Sequence, residues 1–291
     1  MSEKLRFVVP NGSLWERLCL HLSTAGYPLR SPDRTGLCGE ADGIQFHQLD
    51  RRMIPSFMET GMFDAGLTGL DLWENSGVHD GLRVIDRFSF SRTTDQPSRW
   101  VLATRKGSNL ERRPVRVACE LPRLAEILLA KTGLPRDHQV VRIDGSEEMC
   151  VKYGIADAVL VVTETGRSIR ENGLEILPGC ESLLVSKPEI RALPELAPAK
   201  EEALQALSLA LQAVVSAQAF ITVAFDIPAT VDLSSLSLPA SVAPTVSPLT
   251  DPRWKACEIC IPRSVFGPTL VRLKKAGARG IVMNDTQGYL E

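Results

Sequence analysis

Apolar runs of strand length alternate with helically spaced apolar positions along the first 186 residues. Residues 5–9 form an apolar run that a proline and Gly12 end, and apolar side chains then recur at positions 14, 15, 18, 19, 22 and 25. Ser13 and Glu16 have the spacing of a capping box, and Gly26 follows the last apolar position. The pattern predicts a strand, a glycine turn and a helix.

The same alternation continues through the middle of the chain. Helices are expected where Pro55 opens a segment that Gly61 ends, at residues 121–131, and briefly from residue 145. The expected strands are residues 44–46, a short run ending near Thr68, and residues 100–104, 115–119, 140–143, 158–162 and 183–186. Strands that alternate with helices build parallel sheets covered on both faces, so this region is predicted to be α/β, with ligands at the carboxyl ends of its strands.

The composition changes at residues 187–200, which contain three prolines. Beyond them the pattern predicts an Ala/Leu-rich helix at 201–218, followed by the order βαββαβ, which is the ferredoxin-like arrangement. We therefore predict three regions. They are a first lobe at 1–98 with 183–200, a second lobe at 99–182, and a ferredoxin-like domain at 201–291.

Composition and charge narrow the class of protein. The 291 residues are 44% hydrophobic and 23% charged, and the formal net charge is −2, so neither nucleic acid nor an anionic membrane is indicated as a partner. The N-terminus lacks the pattern of a signal peptide, and a cytoplasmic protein is expected. The seven scattered cysteines favour reduced thiols, and Cys257 and Cys260, three apart on a predicted strand, do not indicate a zinc site.

Two turns that join an apolar strand to a helix are candidate anion sites. They are Asn11-Gly12-Ser13 and Thr165-Gly166-Arg167-Ser168. Backbone N–H groups and the helix dipole converge at such turns, glycine allows close approach, and an arginine can fork onto a phosphate. An ordinary helix cap explains the first turn better than an anion site does, whereas both explanations fit the second turn equally well.

Charged residues lie near both turns. The Glu164 carboxylate can accept hydrogen bonds from a sugar diol, and Arg51, Arg52 and Asp71 lie at the ends of predicted elements near the first turn. A solvated surface charge is the simpler explanation of each residue taken alone. Only their combination points to a site.

Six sequence blocks stand out in this order: VPNGSL, RRMIPSFMETGMFDAGLTGLD, PSRWVLAT, VACE, GIADAVLVVTETGRSIRENGL and SPLTDPRWKACEICIPR. Together they resemble the ATP phosphoribosyltransferase family, the first enzyme of histidine biosynthesis, over nearly the whole chain. The resemblance includes the C-terminal module of the family's long, hexameric form. It implies two α/β lobes like those of a periplasmic binding protein, which enclose a cleft, and a ferredoxin-like regulatory domain that binds histidine as a feedback inhibitor.

The resemblance also implies a reaction and a set of contacts. With magnesium, whose ligands come largely from substrate phosphates, adenine N1 of ATP displaces pyrophosphate from C1 of phosphoribosyl pyrophosphate, and no protein nucleophile is assigned. The expected contacts of phosphoribosyl pyrophosphate are Glu164, Thr165, Gly166, Arg167 and Ser168. The expected contacts of ATP and pyrophosphate are Asn11, Gly12, Ser13, Arg52, Thr68, Gly69, Asp71 and Glu120. The expected partners are these substrates and histidine, and the expected assembly is a homo-oligomer, either a dimer or a hexamer.

Several positions depart from the family's motifs, chiefly by loss of charge. The N-terminal turn, usually P-K-G-R-L, has no cation at Asn11 or Ser13. The other departures are Asp50 and Met53 in the L-R-x-R-D-I-P block, Leu70 in T-G-K-D, Cys119 and Leu121 in T-E-Y, and Val161 where an acid precedes T-E-T-G. Two alternatives therefore stay open: a paralogue that transfers phosphoribose to another acceptor, and a non-catalytic binding or regulatory protein that keeps the cleft.

Overall fold

The computed structural model describes residues 4–78, 81–90, 97–108, 110, 114–134, 137–239 and 243–290. The chain divides into two compact units: Met1–Leu20 with Tyr27–Gln205, and His21–Gly26 with Ala206–Glu291. Within the described ranges, no helix has both the length and the apolar character needed to cross a membrane.

The first unit contains two sheets. Its elements up to residue 87 are β1 (Leu5–Pro10), α1 (Trp15–Thr24), β2 (Leu37–Ala41), β3 (Ile44–Leu49), α2 (Ile54–Glu59), β4 (Ala65–Gly69), α3 (Leu70–Ser76) and β5 (Arg83–Arg87). The elements that follow are β6 (Ser98–Arg105), β7 (Val115–Cys119), α4 (Pro122–Leu129), β8 (His138–Arg142), α5 (Glu147–Lys152), β9 (Ala158–Thr163), α6 (Arg167–Glu171), β10 (Leu174–Ile176), β11 (Leu184–Ser186) and β12 (Pro188–Ala192).

Each of these sheets combines three parallel strands with antiparallel ones, at the centre of the first sheet and at one end of the second. The first has the order β2-β3-β1-β4-β12-β5, in which β1 is parallel to β3 and β4, and β12 is antiparallel to β4 and β5. The second has the order β10-β6-β9-β7-β8, with β11 also paired to β6; β7 is parallel to β8 and β9, and β6 is antiparallel to β9. The α/β class is confirmed, but the expectation of parallel sheets holds only for β3-β1-β4 and for β9-β7-β8.

The first predicted strand and helix are present, but the predicted capping box is not formed. Gly12–Leu14 is a 3-10 turn, and α1 begins only at Trp15. Asn11, rather than Ser13, precedes the turn, and its side chain caps no helical N–H. Its Oδ1 instead accepts a hydrogen bond from the backbone N–H of Arg51 at 3.2 Å.

The proline-containing segment from residue 187, predicted to belong to the first lobe, contains a strand of the first sheet that its composition does not reveal. All five residues of β12 are buried between β4 and β5. Glu189 accepts hydrogen bonds from Arg87 and Arg191, each at 2.6 Å, and the Arg191 guanidinium lies 4.9 Å from the centre of the Trp73 ring. Because these charges are paired, they can be buried, and the polar pattern conceals the strand from sequence-based prediction.

Two predicted boundaries differ from the structure. β11 pairs with β6, so residues 184–186 belong to the second sheet, whereas the prediction placed 183–200 in the first lobe. The helix α7 (Pro198–Ala217) runs through the predicted boundary at residue 201, and the first compact unit extends to Gln205. Strand pairing and helix continuity set these limits, and neither is visible in local composition.

The second unit has the predicted ferredoxin-like arrangement. Its elements after α7 are β13 (Phe220–Pro228), a 3-10 turn (Leu233–Leu236), β14 (Thr245–Pro248), β15 (Trp254–Pro262), α8 (Phe266–Lys275) and β16 (Arg279–Asp285). All pairings in the order β14-β15-β13-β16 are antiparallel. Alternate residues of β13, among them Val223 and Phe225, form a core with Ile259 and Leu273. The first helix of the βαββαβ order is reduced to the 3-10 turn.

Candidate active site

The carboxyl ends of six parallel strands converge in the first unit. The strands β1, β3 and β4 of one lobe and β7, β8 and β9 of the other lead into loops that are bonded to each other. Arg51 Nη2 donates to Glu120 Oε1 at 2.7 Å, and Arg52 Nη1 donates to Asp144 Oδ1 at 3.2 Å. Ligands of such folds bind where these strand ends meet. The topology therefore places Arg51, Arg52 and Glu120 around one cleft.

Two hollows open between the lobes and share Leu72. The smaller is lined by Pro10, Ser13, Leu14, Arg51, Thr68, Gly69, Asp71, Phe90, Ser98, Ser186 and Pro188. The larger, of about 530 Å³, is lined by Asp50, Arg52, Met53, Ser56, Asn75, Ser76, Glu120, Leu121, Pro122 and Arg142. Ser98, on the smaller hollow, donates to Glu164 Oε1 at 3.2 Å, whereas residues 165–168 of the second predicted turn line neither hollow. Gly12 and Ser13, in the turn that follows β1 of the first lobe, are exposed.

Asp71 ties the two lobes together. Its carboxylate is 4% exposed and accepts hydrogen bonds from Trp100 Nε1 of the second lobe and from Leu72 N, both at 3.1 Å. A Cβ at Gly69 would collide with Asp71 Oδ1, so a side chain at this position would displace the buried carboxylate. Thr68 is fully buried and donates to the Arg51 carbonyl at 3.4 Å. Of the predicted contacts, Thr68 and Asp71 are thus engaged in holding the cleft together.

Carboxylates hold both arginines of the first lobe. Arg51 is bonded to Glu120, while Arg52 bonds Asp50 Oδ1 through Nε at 3.3 Å and also bonds Asp144. Arg52 Nη1 lies 3.8 Å from Glu120 Oε1. The hydrogen bond to Asp50 raises the pKa of the Arg52 guanidinium, which stays charged. If a polyphosphate binds here, Arg51 and Arg52 must leave these carboxylates and pair with phosphate oxygens instead.

The turn between β9 and α6 has the backbone of an anion site. Gly166 is left-handed, with φ of +70°, and its N–H is already bonded to Thr163 Oγ1 at 2.9 Å. Arg170 Nη1 donates to the Thr165 carbonyl at 2.9 Å and so braces the turn. Among the described residues no acceptor is bonded to the N–H groups of Arg167 and Ser168, the first two of the helix. These two amides are open to an anion.

The side chains of this turn differ from the predicted arrangement. Arg167 is 80% exposed and bonds Glu171 at 2.6 Å instead of folding over the turn. Ser168 donates its hydroxyl hydrogen to Glu148 Oε1 at 2.8 Å. Thr165 is exposed, and Glu164 is half-buried. The i, i+4 geometry of the helix explains the course of Arg167, because it brings that side chain to Glu171.

Sequence reasoning missed Ser98, Glu147, Glu148 and Arg170. Glu147 is 9% exposed, and burial raises the pKa of its carboxyl above the ordinary value of 4.5. The Gly145-Ser146 pair before the two glutamates signals a helix start and nothing more. The contact from Ser168 to Glu148 spans 20 residues, so no local pattern could reveal it.

The fold and the cleft define a two-lobed α/β protein of the periplasmic-binding-protein type that carries a ferredoxin-like unit. A family model described as ATP phosphoribosyltransferase matches residues 51–213, and one described as HisG, C-terminal domain, matches residues 208–287. The chain therefore belongs to the ATP phosphoribosyltransferase family, which comprises pentosyltransferases of histidine biosynthesis. The resemblance seen in the sequence blocks is confirmed.

Relatives of similar length support this assignment. The ATP phosphoribosyltransferase of Corynebacterium efficiens is 31% identical over 289 residues, which cover 97% of this chain and 98% of the relative. That of Nitratidesulfovibrio vulgaris strain DP4 is 32% identical over 287 residues, with coverage of 96% and 95%. A solved ATP phosphoribosyl transferase (HisG:HisZ) complex from Thermotoga maritima matches 72% of this chain and 96% of that chain, with 25% identity and a TM-score of 0.59.

Proposed function

We propose that this chain transfers a 5-phosphoribosyl group from phosphoribosyl pyrophosphate to N1 of the adenine of ATP. The bond between adenine N1 and C1 of the ribose forms, while the bond from C1 to the pyrophosphate oxygen breaks and pyrophosphate leaves with the electron pair. The observation that carries the proposal is the turn between β9 and α6, where Gly166 presents two open amides beside Glu164 in a chain of this family.

The second-lobe side of the cleft holds the sugar phosphate in this proposal. The amides of Arg167 and Ser168 meet the 5-phosphate, and the helix start adds a partial positive charge. The Glu164 carboxylate accepts hydrogen bonds from the ribose hydroxyls. Because the transition state is oxocarbenium-like, positioning and charge stabilisation supply the catalysis without a protein nucleophile.

The first-lobe side of the cleft meets the polyphosphate. Arg51 and Arg52 supply full charges, and the exposed turn at Gly12 and Ser13 supplies backbone donors. Both arginines must leave their carboxylate partners, so Glu120 and Asp144 are displaced as the substrate enters. This exchange makes the affinity for polyphosphate sensitive to those carboxylates.

Magnesium enters, in this proposal, as part of the substrate. Among the described residues, no group of three or more His, Cys, Asp and Glu side chains is arranged to hold a metal ion. Mg²⁺ commonly binds substrate phosphates, keeps several waters and takes only one or two carboxylates, which fits a chelate of phosphoribosyl pyrophosphate. In that form it neutralises charge on the departing pyrophosphate.

The second unit is proposed to bind histidine and to lower the rate of the reaction. The ferredoxin-like sheet and the match of residues 208–287 to the C-terminal family domain support this assignment. The family resemblance also supports a homo-oligomer, either a dimer or a hexamer. Mass photometry with and without histidine measures that assembly.

The test is product formation by the full chain. With ATP, phosphoribosyl pyrophosphate and magnesium, we expect phosphoribosyl-ATP, identified by mass spectrometry, and a lower rate when histidine is added. A folded protein that forms no product at saturating substrate contradicts the proposal.

The carboxylates on Arg51 and Arg52 favour one alternative, a paralogue that uses another acceptor. In that case phosphoribosyl pyrophosphate binds and ATP does not. Binding of neither substrate supports instead a non-catalytic regulatory protein. Separate calorimetric titrations with each ligand distinguish the three outcomes.

A further inference from the structure

Arg99 is a charged side chain that the proposed mechanism leaves unused. It lies on β6, and its Nε is buried without a hydrogen-bond partner among the described residues. A buried guanidinium nitrogen without an acceptor costs free energy, and native structures contain few such groups. Arg99 as a whole is half-buried, so its guanidinium remains accessible to a ligand that supplies an acceptor.

The pairing of β6 with β9 places Arg99 beside the phosphate turn. Arg99 is the direct partner of Thr163 in the antiparallel ladder, and Val101 is the partner of Val161. Directly opposite residues project from the same face of a sheet with Cβ atoms about 5 Å apart. The Thr163 hydroxyl accepts a hydrogen bond from the Gly166 N–H. The backbone of Arg99 is therefore adjacent to the residue that stabilises the turn.

The carboxylates near this part of the second lobe are already engaged. Glu148 accepts the Ser168 hydroxyl at 2.8 Å, and Glu164 accepts the Ser98 hydroxyl at 3.2 Å. The next residue along β9 on the face of Arg99 is Val161, which carries no charge. A cation on β6 thus lies beside the strand that leads to the two open amides at the start of α6, and β9 itself carries no carboxylate. That combination fits a bound anion.

We propose that Arg99 binds the 5-phosphate of the phosphoribosyl group held by the turn at residues 165–168. Arg99 thereby supplies the full positive charge that is expected of Arg167 from the sequence. The Arg167 side chain is instead paired with Glu171. The guanidinium fork matches two phosphate oxygens, while the amides of Arg167 and Ser168 bind from the turn. This inference rests on the proposed function, since it deepens the assignment of the same site.

The experiment measures binding of ribose 5-phosphate, which carries the sugar phosphate and lacks the pyrophosphate, to the full chain by calorimetry. Arg99→Gln is expected to weaken binding at least about tenfold, the effect of losing a charged hydrogen bond. Arg105→Gln is the matched control, because Arg105 lies on the same strand and bonds the carbonyls of Val151 and Lys152. Its affinity is expected to stay within twofold of the parent.

One further variant protects the result against a folding defect. Arg99→Lys keeps the charge but loses the fork, and an intermediate loss of affinity is expected. Affinity within twofold of the parent in folded Arg99→Gln overturns the inference; if Arg99→Gln does not fold, unchanged affinity in Arg99→Lys overturns it.

These measurements are independent of the reaction. Ribose 5-phosphate binding requires no ATP, so a chain that binds it through Arg99 yet forms no phosphoribosyl-ATP overturns the proposed reaction alone. A chain that forms phosphoribosyl-ATP with unchanged binding in Arg99→Gln overturns the Arg99 inference alone.

Discussion

The two sides of the cleft are prepared for anions in different ways. On the second-lobe side, Gly166 holds a turn whose two open amides need no rearrangement to meet a phosphate. On the first-lobe side, Arg51 and Arg52 carry full charges, but Glu120, Asp50 and Asp144 already bond them. Preorganised donors bind without reorganisation, whereas paired cations must first exchange partners. We therefore expect the cleft to recognise the sugar phosphate first and the polyphosphate at greater cost.

The difference follows the sequence departures. The motif of the turn is retained apart from Val161, while the first-lobe side has lost cations. Asp50, which stands where the family motif has an arginine, now bonds Arg52. Asp50 therefore has two effects. One positive charge of the family motif is missing, and the positive charge of Arg52 is paired with the Asp50 carboxylate.

The largest effect is expected from Asp71→Ala, which cuts the buried connection between the two sides. The change removes the acceptor of Trp100 Nε1 and leaves a buried N–H unsatisfied. We expect the free energy of unfolding to fall by about 3 kcal/mol, measured by urea denaturation. Asp71→Asn keeps an oxygen toward the indole and is expected to recover about half of the loss. Equal stability of the Ala variant and the parent would show that this bond does not hold the lobes.

The next largest effect is expected from Gly166→Ala, and a control variant distinguishes the shape of this turn from general backbone strain. Gly166→Ala forces a left-handed alanine against Arg170 Nη1, which lies 3.1 Å from the added Cβ. We expect phosphoribosyl pyrophosphate to bind about tenfold more weakly, at a stability cost of about 1–2 kcal/mol. Gly173→Ala has the same φ of +70° with open space around the added carbon, so it is expected to match the stability loss and keep the affinity. Similar losses of affinity in both variants would contradict the assignment.

Freeing an arginine of the first-lobe side should strengthen polyphosphate binding. Glu120→Gln removes the charge that holds Arg51, and we expect Mg-pyrophosphate to bind about fivefold more tightly, which is about 1 kcal/mol. Asp251→Asn is the control, because it makes the same change of net charge at the exposed pair with Arg253 in the second unit. Weaker binding in Glu120→Gln would mean that Glu120 contacts the ligand rather than competing with it.

The smallest effect is a pH dependence that arises from Glu147, whose carboxyl interacts with those of Glu120 and Glu148. Burial raises its folded-state pKa, so protonation stabilises the fold below the ordinary value of 4.5, and this contribution is lost as the pH rises through the folded pKa. Glu147→Gln is therefore expected to raise the thermal midpoint at pH 7 and not at pH 4. Glu202→Gln, at an exposed position of α7, is expected to change neither. If Glu147→Gln raised the thermal midpoint equally at both pH values, the titration of Glu147 could not be the cause.

Apolar runs bounded by glycine or proline were sufficient to predict β1, β7 and α2. They were insufficient for β12, where Glu189 and Arg191 are buried because they pair with each other. In the site, the sequence blocks located the turn but not the directions of its side chains. Arg167 and Arg170 lie on one short helix, yet only Arg170 reaches the Thr165 carbonyl. Which arginine braces a turn depends on helix rotation and on partners distant in sequence, such as Glu148.

The most direct test is a pair of calorimetric titrations of the unmodified chain, one with phosphoribosyl pyrophosphate and one with ATP, each with magnesium and without the other substrate. We predict that phosphoribosyl pyrophosphate binds at one site per chain and at least about tenfold more tightly than ATP, which corresponds to about 1.4 kcal/mol. ATP binding as tight as that of phosphoribosyl pyrophosphate, or no binding of phosphoribosyl pyrophosphate, would contradict it.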